Sequence, residues 1–275
     1  MTPLSKNIKP TIKGTTGQPK GVMIEHRSLN NLIGAMSKTF PVNESDTILA
    51  LTSISFDISG LELYLPLTNG SKIVLCPQSY AYDIYAVTKT LDKYNVTLMQ
   101  ATPSTWSILL NNTTWKPKSK FRALCGGETL NEELKKKLAK LSDSWNMYGP
   151  TETTIWSTCA KLDKNRSKNI IGQAIHNTEL FVVNANGDLV PRGVPGELLI
   201  GGKGVARGYI NNTSLTDSCF ITNKHSKNRP SLTCYKSGDL VRWLPSGTLE
   251  YIGRVDSQVK VQGHRIELTE IESTL

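Results

Sequence analysis

Between residues 22 and 160 the chain alternates between two hydrophobic periods. Apolar residues recur at helical spacing over 26–38, 60–67, 83–93, 104–110 and 131–141. Short runs rich in β-branched and aliphatic residues occupy 47–52, 72–76, 96–100, 121–125 and 154–159. This alternation predicts an α/β fold, a mainly parallel sheet covered by helices. Ligands of such sheets bind at loops beyond the carboxyl ends of strands. FDIS (56–59), ALCGGE (123–128) and NMYGPTE (146–152) each follow a strand-like stretch, which makes them candidate site segments.

From about residue 170 the texture changes. Short strand-like runs, ELFVV, GELLI and TLEYI, alternate with the turn sequences ANGD, PRGVPG and LPSG. A smaller β-rich lobe is expected there. Residues 222–232, TNKHSKNRPSL, form a polar loop, and 257–275 begin a strand followed by a short helix. No internal repeat or low-complexity tract is visible.

Composition adds limits. With 275 residues, 38% hydrophobic and 20% charged, the chain suits a globular protein with a substantial core. No apolar run approaches the roughly 18–20 residues that span a bilayer. The start, MTPLSKNIKPTIK, lacks the apolar stretch of a secretory signal, so triplets such as Asn95-Val96-Thr97 are chance rather than glycosylation sites. The five cysteines, at 76, 125, 159, 219 and 234, show no C-x-x-C spacing. That argues against a zinc site or a disulfide framework and for a reduced, cytoplasmic protein, with Cys125 and Cys159 as small buried hydrophobes. Net charge is 32 − 23 = +9, but the lysines are dispersed. The densest cluster, Lys135 to Lys137, follows Leu134 and precedes Leu138 and Leu141 on an apolar helix face, which leaves the lysines solvated. No motif for reading nucleic acid is present; the excess charge suits a triphosphate instead.

The candidate chemistry begins at GTTGQPKG, residues 14–21. Glycines admit close backbone approach to a phosphate, hydroxyls add donors and Lys20 adds charge. It is not a Walker A loop, because Lys20 follows Gly17 after two residues and precedes Gly21. By itself the run is equally a flexible turn, and by itself Glu152 is a solvated loop carboxylate. The order of six blocks changes this: GTTGQPKG, FDIS, NMYGPTE, GELLIGGKGVARGYI (196–210), YKSGDL (235–240) and GRVDSQVKVQGHRIELTEIE (253–272). In this order the chain resembles the adenylate-forming, AMP-binding superfamily, and within it the amino-acid adenylation domains of nonribosomal peptide synthetases.

That resemblance implies a partial large adenylation subdomain over 14–256, its β-rich lobe at about 170–256, and the start of a C-terminal small subdomain at 257–275. It implies a ligase of secondary metabolism using ATP and Mg²⁺. An amino acid attacks the α-phosphorus, pyrophosphate leaves, and a thiol on the phosphopantetheine arm of a peptidyl carrier protein captures the adenylate, within neighbouring synthetase domains. By resemblance, Thr15, Thr16, Gly17 and Lys20 form the pyrophosphate-side loop, Thr151 contacts the α-phosphate, and Glu152 holds magnesium. Gly126, Gly127 and Glu128 line the adenine pocket, Tyr148 faces the adenine, and Asp239 accepts from the ribose hydroxyls with Arg254 beside it. Asp256 matches the hinge between subdomains; the plain alternatives are a turn residue for Asp239 and a strand-connecting turn around Asp256.

The acid-binding positions carried over are Asp57, which would pair with a substrate ammonium, and Ile58, Leu61, Gln100, Leu124, Gly126, Met147, Ile155 and Trp156. Bulky Trp156 and Met147, with no charge beside Asp57, resemble the set of glycine-activating domains; Trp156 is otherwise core. Two departures accompany the resemblance. Only a short stretch precedes Gly14, with Lys13 where the family has a hydroxyl, and the family's catalytic lysine would lie beyond Leu275. The expectation is therefore weak or no activity for this stretch alone. Alternatives are a non-catalytic nucleotide-binding remnant, a remnant that does not fold stably, and an acyl- or aryl-CoA ligase relative, against which Asp57 stands.

Overall fold

Runs of aliphatic residues become buried strands where helices cover both sheet faces, and they need loops that turn the chain back each time. In chain order the first elements are α1 (His26–Thr39), β1 (Thr47–Ala50), α2 (Ser59–Asn69), β2 (Lys72–Leu75), α3 (Ile84–Lys93), β3 (Leu98–Ala101), α4 (Pro103–Asn112), β4 (Arg122–Gly126), α5 (Glu132–Leu138), β5 (Asp143–Tyr148) and β6 (Thr158–Lys161). The computed structural model describes residues 7–8, 11–12, 20–80, 83–113, 115–117, 120–141, 143–164, 169–223, 225, 232–256, 258–261 and 264–267. The chain divides into two units, one of residues 33–147 and 159–169, the other of 1–32, 148–158 and 170–275.

In the first unit the strands lie in the order β2-β1-β3-β4-β5-β6, and β1 to β5 run parallel. Helix starts follow from their caps. Asp83 accepts from the backbone N–H groups of Tyr85 and Ala86, Thr102 accepts from Thr105 ahead of Pro103, and Asn131 accepts from Leu134. The two sheet faces differ. Met99, Ala101, Ala123 and Cys125 form one core with Val87, Leu91, Trp106, Leu109, Leu134 and Leu138 from α3, α4 and α5. By strand alternation the opposite face carries Gln100 paired with Leu124, and Gly126 paired with Met147.

The second unit adds β7 (Ile170–Ala174), β8 (Thr178–Val183), β9 (Gly196–Gly202), α6 (Thr213–Cys219), β10 (Phe220–Asn223), β11 (Leu232–Trp243) and β12 (Leu249–Arg254). Their order is β8-β9-β11-β12-β7, with β10 on β11, and the pairs β8–β9, β9–β11, β10–β11, β11–β12 and β7–β12 are antiparallel. Val182, Leu198, Ile200, Val241 and Leu249 make the core of this sheet with Tyr148 and Ile171. Short antiparallel pairs join Asn7–Ile8 to Ile24–Glu25 and Thr11–Ile12 to Lys20–Gly21.

Several sequence expectations are corrected. The strand expected at 154–159 begins only at Thr158; residues 151–153 are a 3₁₀ turn, and Thr154 and Ile155 have φ of 65° and 68°. NMY lies inside a strand, β5, that the hydrophobic pattern did not mark. Asp239 lies within β11, so the plain alternative of a turn residue does not apply to it. After residue 257 the described residues form a hairpin, Gln258–Val261 with His264–Glu267; the helix expected to follow the strand falls at 268–275, outside the described residues. Lys135 is buried, with its ammonium 3.1 Å from Glu132 one turn earlier; its stem covers apolar surface while the charge finds a local partner. Cys159 is only half-buried, whereas Cys125 is fully buried, and all five cysteines are free thiols. Most of the 222–232 loop lies outside the described residues.

Candidate functional site

In the second unit the segment 148–157 is shaped by one glycine and two left-handed residues. A Cβ on Gly149 would stand 2.4 Å from the Ile155 carbonyl oxygen and 2.7 Å from the Ser157 nitrogen, so only glycine permits this closure. The closure is tied by Ser157 N donating to the Tyr148 carbonyl at 2.8 Å and by a 2.6 Å contact between the Thr153 and Ser157 hydroxyls. Positive φ at two successive β-branched residues is strained, roughly 1–3 kcal/mol each. The surrounding bonds hold them there, including the Thr154 hydroxyl donating to the Gly204 carbonyl at 2.6 Å. Ile155 and Trp156 are buried as a result.

The same turn presents Glu152. Its backbone carbonyl accepts from Ala206 N at 2.8 Å, and its carboxylate Oε1 accepts from the Tyr209 hydroxyl at 2.7 Å. Burial, and then the Glu152 charge, push the Tyr209 phenol far above its usual range, so it stays a donor. Tyr209 packs edge-on against Phe220 at 5.4 Å. Tyr209 was not picked out from the sequence, although its GVARGYI block was.

Asp239 is buried and held at both carboxylate oxygens. Tyr148 donates its hydroxyl to Oδ2 at 2.5 Å, and Arg254 donates Nη1 to Oδ1 at 2.8 Å. The Tyr148 phenol is held well above its usual range by burial and by the Asp239 charge. Asp239 and Arg254 are direct register partners on β11 and β12. Gly238, with φ 69°, makes the approach possible: a Cβ there would lie 2.6 Å from Arg254 Nη2. Arg254 also grips Asp256 through Nε and Nη2, both at 2.6 Å. Tyr148, Asp239, Arg254 and Asp256 are thus one hydrogen-bonded chain.

In the first unit the segment after β1 is a series of turns. Phe56 N donates to the Ser53 carbonyl at 2.9 Å and Gly60 N to the Asp57 carbonyl at 2.9 Å, leading into α2. Asp57 is half-buried; Ile58, Leu61, Gln100, Leu124 and Met147 are buried. Gln100 Nε2 donates to the Ile58 carbonyl at 2.9 Å and to Glu62 Oε1 at 3.0 Å. Gly127, with φ 93°, turns the chain out of β4. Glu128 Oε2 accepts from Ser104 at 2.7 Å, while its buried Oε1 has no hydrogen-bond partner among the described residues.

The structure therefore gathers the expected site residues into two sets. Tyr148, Thr151, Glu152, Ile155, Trp156, Asp239, Arg254 and Asp256 belong to the second unit, which also holds Lys20, beside the Thr11–Ile12 pair. Asp57, Ile58, Leu61, Gln100, Leu124, Gly126, Gly127, Glu128 and Met147 belong to the first. Thr15, Thr16 and Gly17 lie outside the described residues.

The ordered sequence blocks and the open, mixed α/β architecture define the same class, the adenylate-forming proteins. The model of the AMP-binding enzyme family matches residues 14–210, and the chain belongs to that family. Among curated relatives, a dimodular nonribosomal peptide synthase of Bacillus subtilis (strain 168) is 41% identical over 264 residues, covering 95% of this chain and 11% of that protein. Among solved structures, the holo form of AB3403, a four-domain nonribosomal peptide synthetase bound to AMP and glycine, is 40% identical with a TM-score of 0.81, over 96% of this chain and 20% of that one. The Vibrio cholerae adenylation domain AlmE, in complex with glycyl-adenosine-5'-phosphate, is 27% identical with a TM-score of 0.84, over 96% of this chain and 51% of that one. The fold is thus that of adenylation domains, and the chain spans a small part of the length of the synthetases it matches.

Proposed function

We propose that the chain takes part in the ATP-dependent activation of an amino acid, glycine by preference, as an aminoacyl adenylate for loading onto a peptidyl carrier protein in nonribosomal peptide synthesis. The observation that carries this reading is the buried Asp239, fixed by Tyr148 and Arg254. A carboxylate positioned this way is an acceptor for paired hydroxyl donors such as those of a ribose. One further observation fits a nucleotide. Glu128 Oε1 is a buried acceptor with no donor among the described residues, which an adenine amino group would satisfy. Mg²⁺ uses one or two carboxylates plus substrate phosphates; Glu152, with Thr151 beside it, would hold it. Bound there, the ion would supply charge stabilisation at the phosphates.

The remaining roles belong to the chain's own side chains. Tyr209 orients Glu152, and Tyr148, kept as a neutral phenol, orients Asp239. Lys20, with Thr15, Thr16 and Gly17, supplies charge and donors on the pyrophosphate side. Asp57 pairs with the substrate ammonium whatever the side chain, so it does not discriminate among amino acids. Discrimination falls to the bulk of Trp156, Met147 and Leu61. The two structural neighbours solved with glycine and with glycyl adenylate support the small-side-chain reading. Capture of the adenylate would fall to a phosphopantetheine thiol on the carrier partner. Free cysteines throughout the chain accord with a cytoplasmic setting. Among the described residues no helix is long and apolar enough to cross a membrane.

Amino-acid-dependent exchange of pyrophosphate into ATP, compared across the amino acids in the chain joined to the flanking portions of a related adenylation domain, tests the proposal. Glycine is expected to give the highest rate. An added methyl group in a filled pocket costs roughly 1–3 kcal/mol, a preference over alanine of about 5- to 150-fold. Trp156→Ala should relax that preference, and Asp57→Ala should depress exchange with every amino acid. A preference for a large or charged amino acid would overturn the substrate assignment.

A further inference from the structure

Helical spacing places Glu62 on the face of α2 that also carries Leu65, one turn after Ile58, and the side chain is 1% exposed. A carboxylate buried to that degree is costly unless its oxygens are bonded. Here Oε1 accepts from the Thr52 hydroxyl at 2.6 Å, Oε2 accepts from Thr52 N at 2.9 Å, and Oε1 also accepts from Gln100 Nε2 at 3.0 Å. Gln100 in turn donates to the Ile58 carbonyl at 2.9 Å. Glu62 and Gln100 therefore hold both ends of the segment 52–58, and Asp57 is its penultimate residue.

We propose that Glu62 is a positioning residue that sets the placement of Asp57, by tying Thr52 at the start of its segment and, through Gln100, Ile58 at its end. This deepens the amino-acid-activation reading above and rests on it for the identity of the ligand. Asp57 is half-buried in a run of turns rather than in a regular element. Turn segments hold a functional side chain only as well as their supporting bonds do. The groups facing Glu62 from the segment after β1 and from β3, Thr52 and Gln100, are uncharged; Cys76, just after β2, is a thiol whose ionisation is opposed by burial and then by the Glu62 charge. The bonds from Thr52 and Gln100 all bring donors to the Glu62 carboxylate, so an amide in its place would set an N–H₂ group against at least one of them. The sequence signal was the acidic residue at a core-facing helical position, directly after Leu61.

The test uses the whole chain with Glu62→Gln and, as a milder second variant, Thr52→Val. Amide hydrogen exchange is expected to rise about tenfold at Thr52 and its segment in Glu62→Gln, since one hydrogen bond is worth about that factor, with α3, α4 and α5 unchanged. In ATP–pyrophosphate exchange the KM for glycine should rise about tenfold while the KM for ATP stays put, and Thr52→Val should move both readouts in the same direction by less. Unchanged protection at residues 52–58 in the folded variants would overturn the proposal, as would KM values for glycine and ATP rising together. Because weak or no exchange is expected of this stretch alone, the exchange assay is run on the chain joined to the flanking portions of a related adenylation domain; if that fusion with Glu62 unaltered shows no amino-acid-dependent exchange, the functional reading fails, and hydrogen exchange alone then decides the role of Glu62. Should Glu62→Gln not fold, Thr52→Val decides by the same two criteria.

Discussion

The two units fix their buried carboxylates by opposite means. In the parallel-sheet unit Glu62 is surrounded by neutral donors, and burial pushes its carboxyl up to about 7 against the hydrogen bonds from Thr52 and Gln100. In the antiparallel unit Asp239 sits against the Arg254 guanidinium and the Tyr148 phenol. The first arrangement orders a turn segment and is sensitive to protonation near neutrality. The second holds an acceptor with a charge and ties it onward to Asp256. The difference teaches that one chain can fix buried carboxylates by different electrostatic devices, and each device should fail in its own way.

The largest effect is expected from Asp239→Ala. Removing one partner of a buried ion pair typically costs about 3–5 kcal/mol because the other charge is stranded; Arg254 keeps Asp256, so about 3 kcal/mol is expected, read as a lower denaturant midpoint. A loss under about 0.5 kcal/mol would mean that the Tyr148–Asp239–Arg254 chain does not hold the antiparallel unit together.

Glu62 should differ in its pH dependence. With its carboxyl raised from 4.5 to about 7 in the folded state, the native protein binds more protons than the unfolded chain between those values. Its contribution is therefore fully present below pH 4.5 and is lost as pH rises through 7. The shift corresponds to about 3 kcal/mol. Glu62→Gln should flatten the stability profile between pH 4.5 and 7. Equal slopes in the unaltered chain and Glu62→Gln would erase the contrast between the units.

The part of this that the sequence makes legible is unequal across the two units. Strands β1 to β4 and the helices between them follow from period and caps, because burial of both sheet faces writes itself as aliphatic runs. β5 was invisible because Asp143, Ser144 and Asn146 interrupt its pattern. Thr154, Ile155 and Trp156 favour a strand by propensity, but the close approach of Gly149 to their backbone forces left-handed turns there instead. Asp57, Gln100, Glu152 and Asp239 were reached by resemblance of short blocks. Glu62 and Tyr209 were not, because their roles arise from partners distant in sequence, Gln100 for the one and Glu152 for the other. Pairings of this kind are set by topology, which no local pattern encodes.

The central claim is that Asp239, held by Tyr148 and Arg254, receives a nucleotide. Thermal melting of the chain with and without millimolar Mg-ATP tests it most directly, since a ligand that binds only the folded state raises the melting temperature by mass action. An upward shift is expected in the unaltered chain, a smaller shift for Glu152→Gln when magnesium is present, and little or none for Asp239→Asn with either ATP or adenosine. A full shift in Asp239→Asn, or none in the unaltered chain, would contradict it.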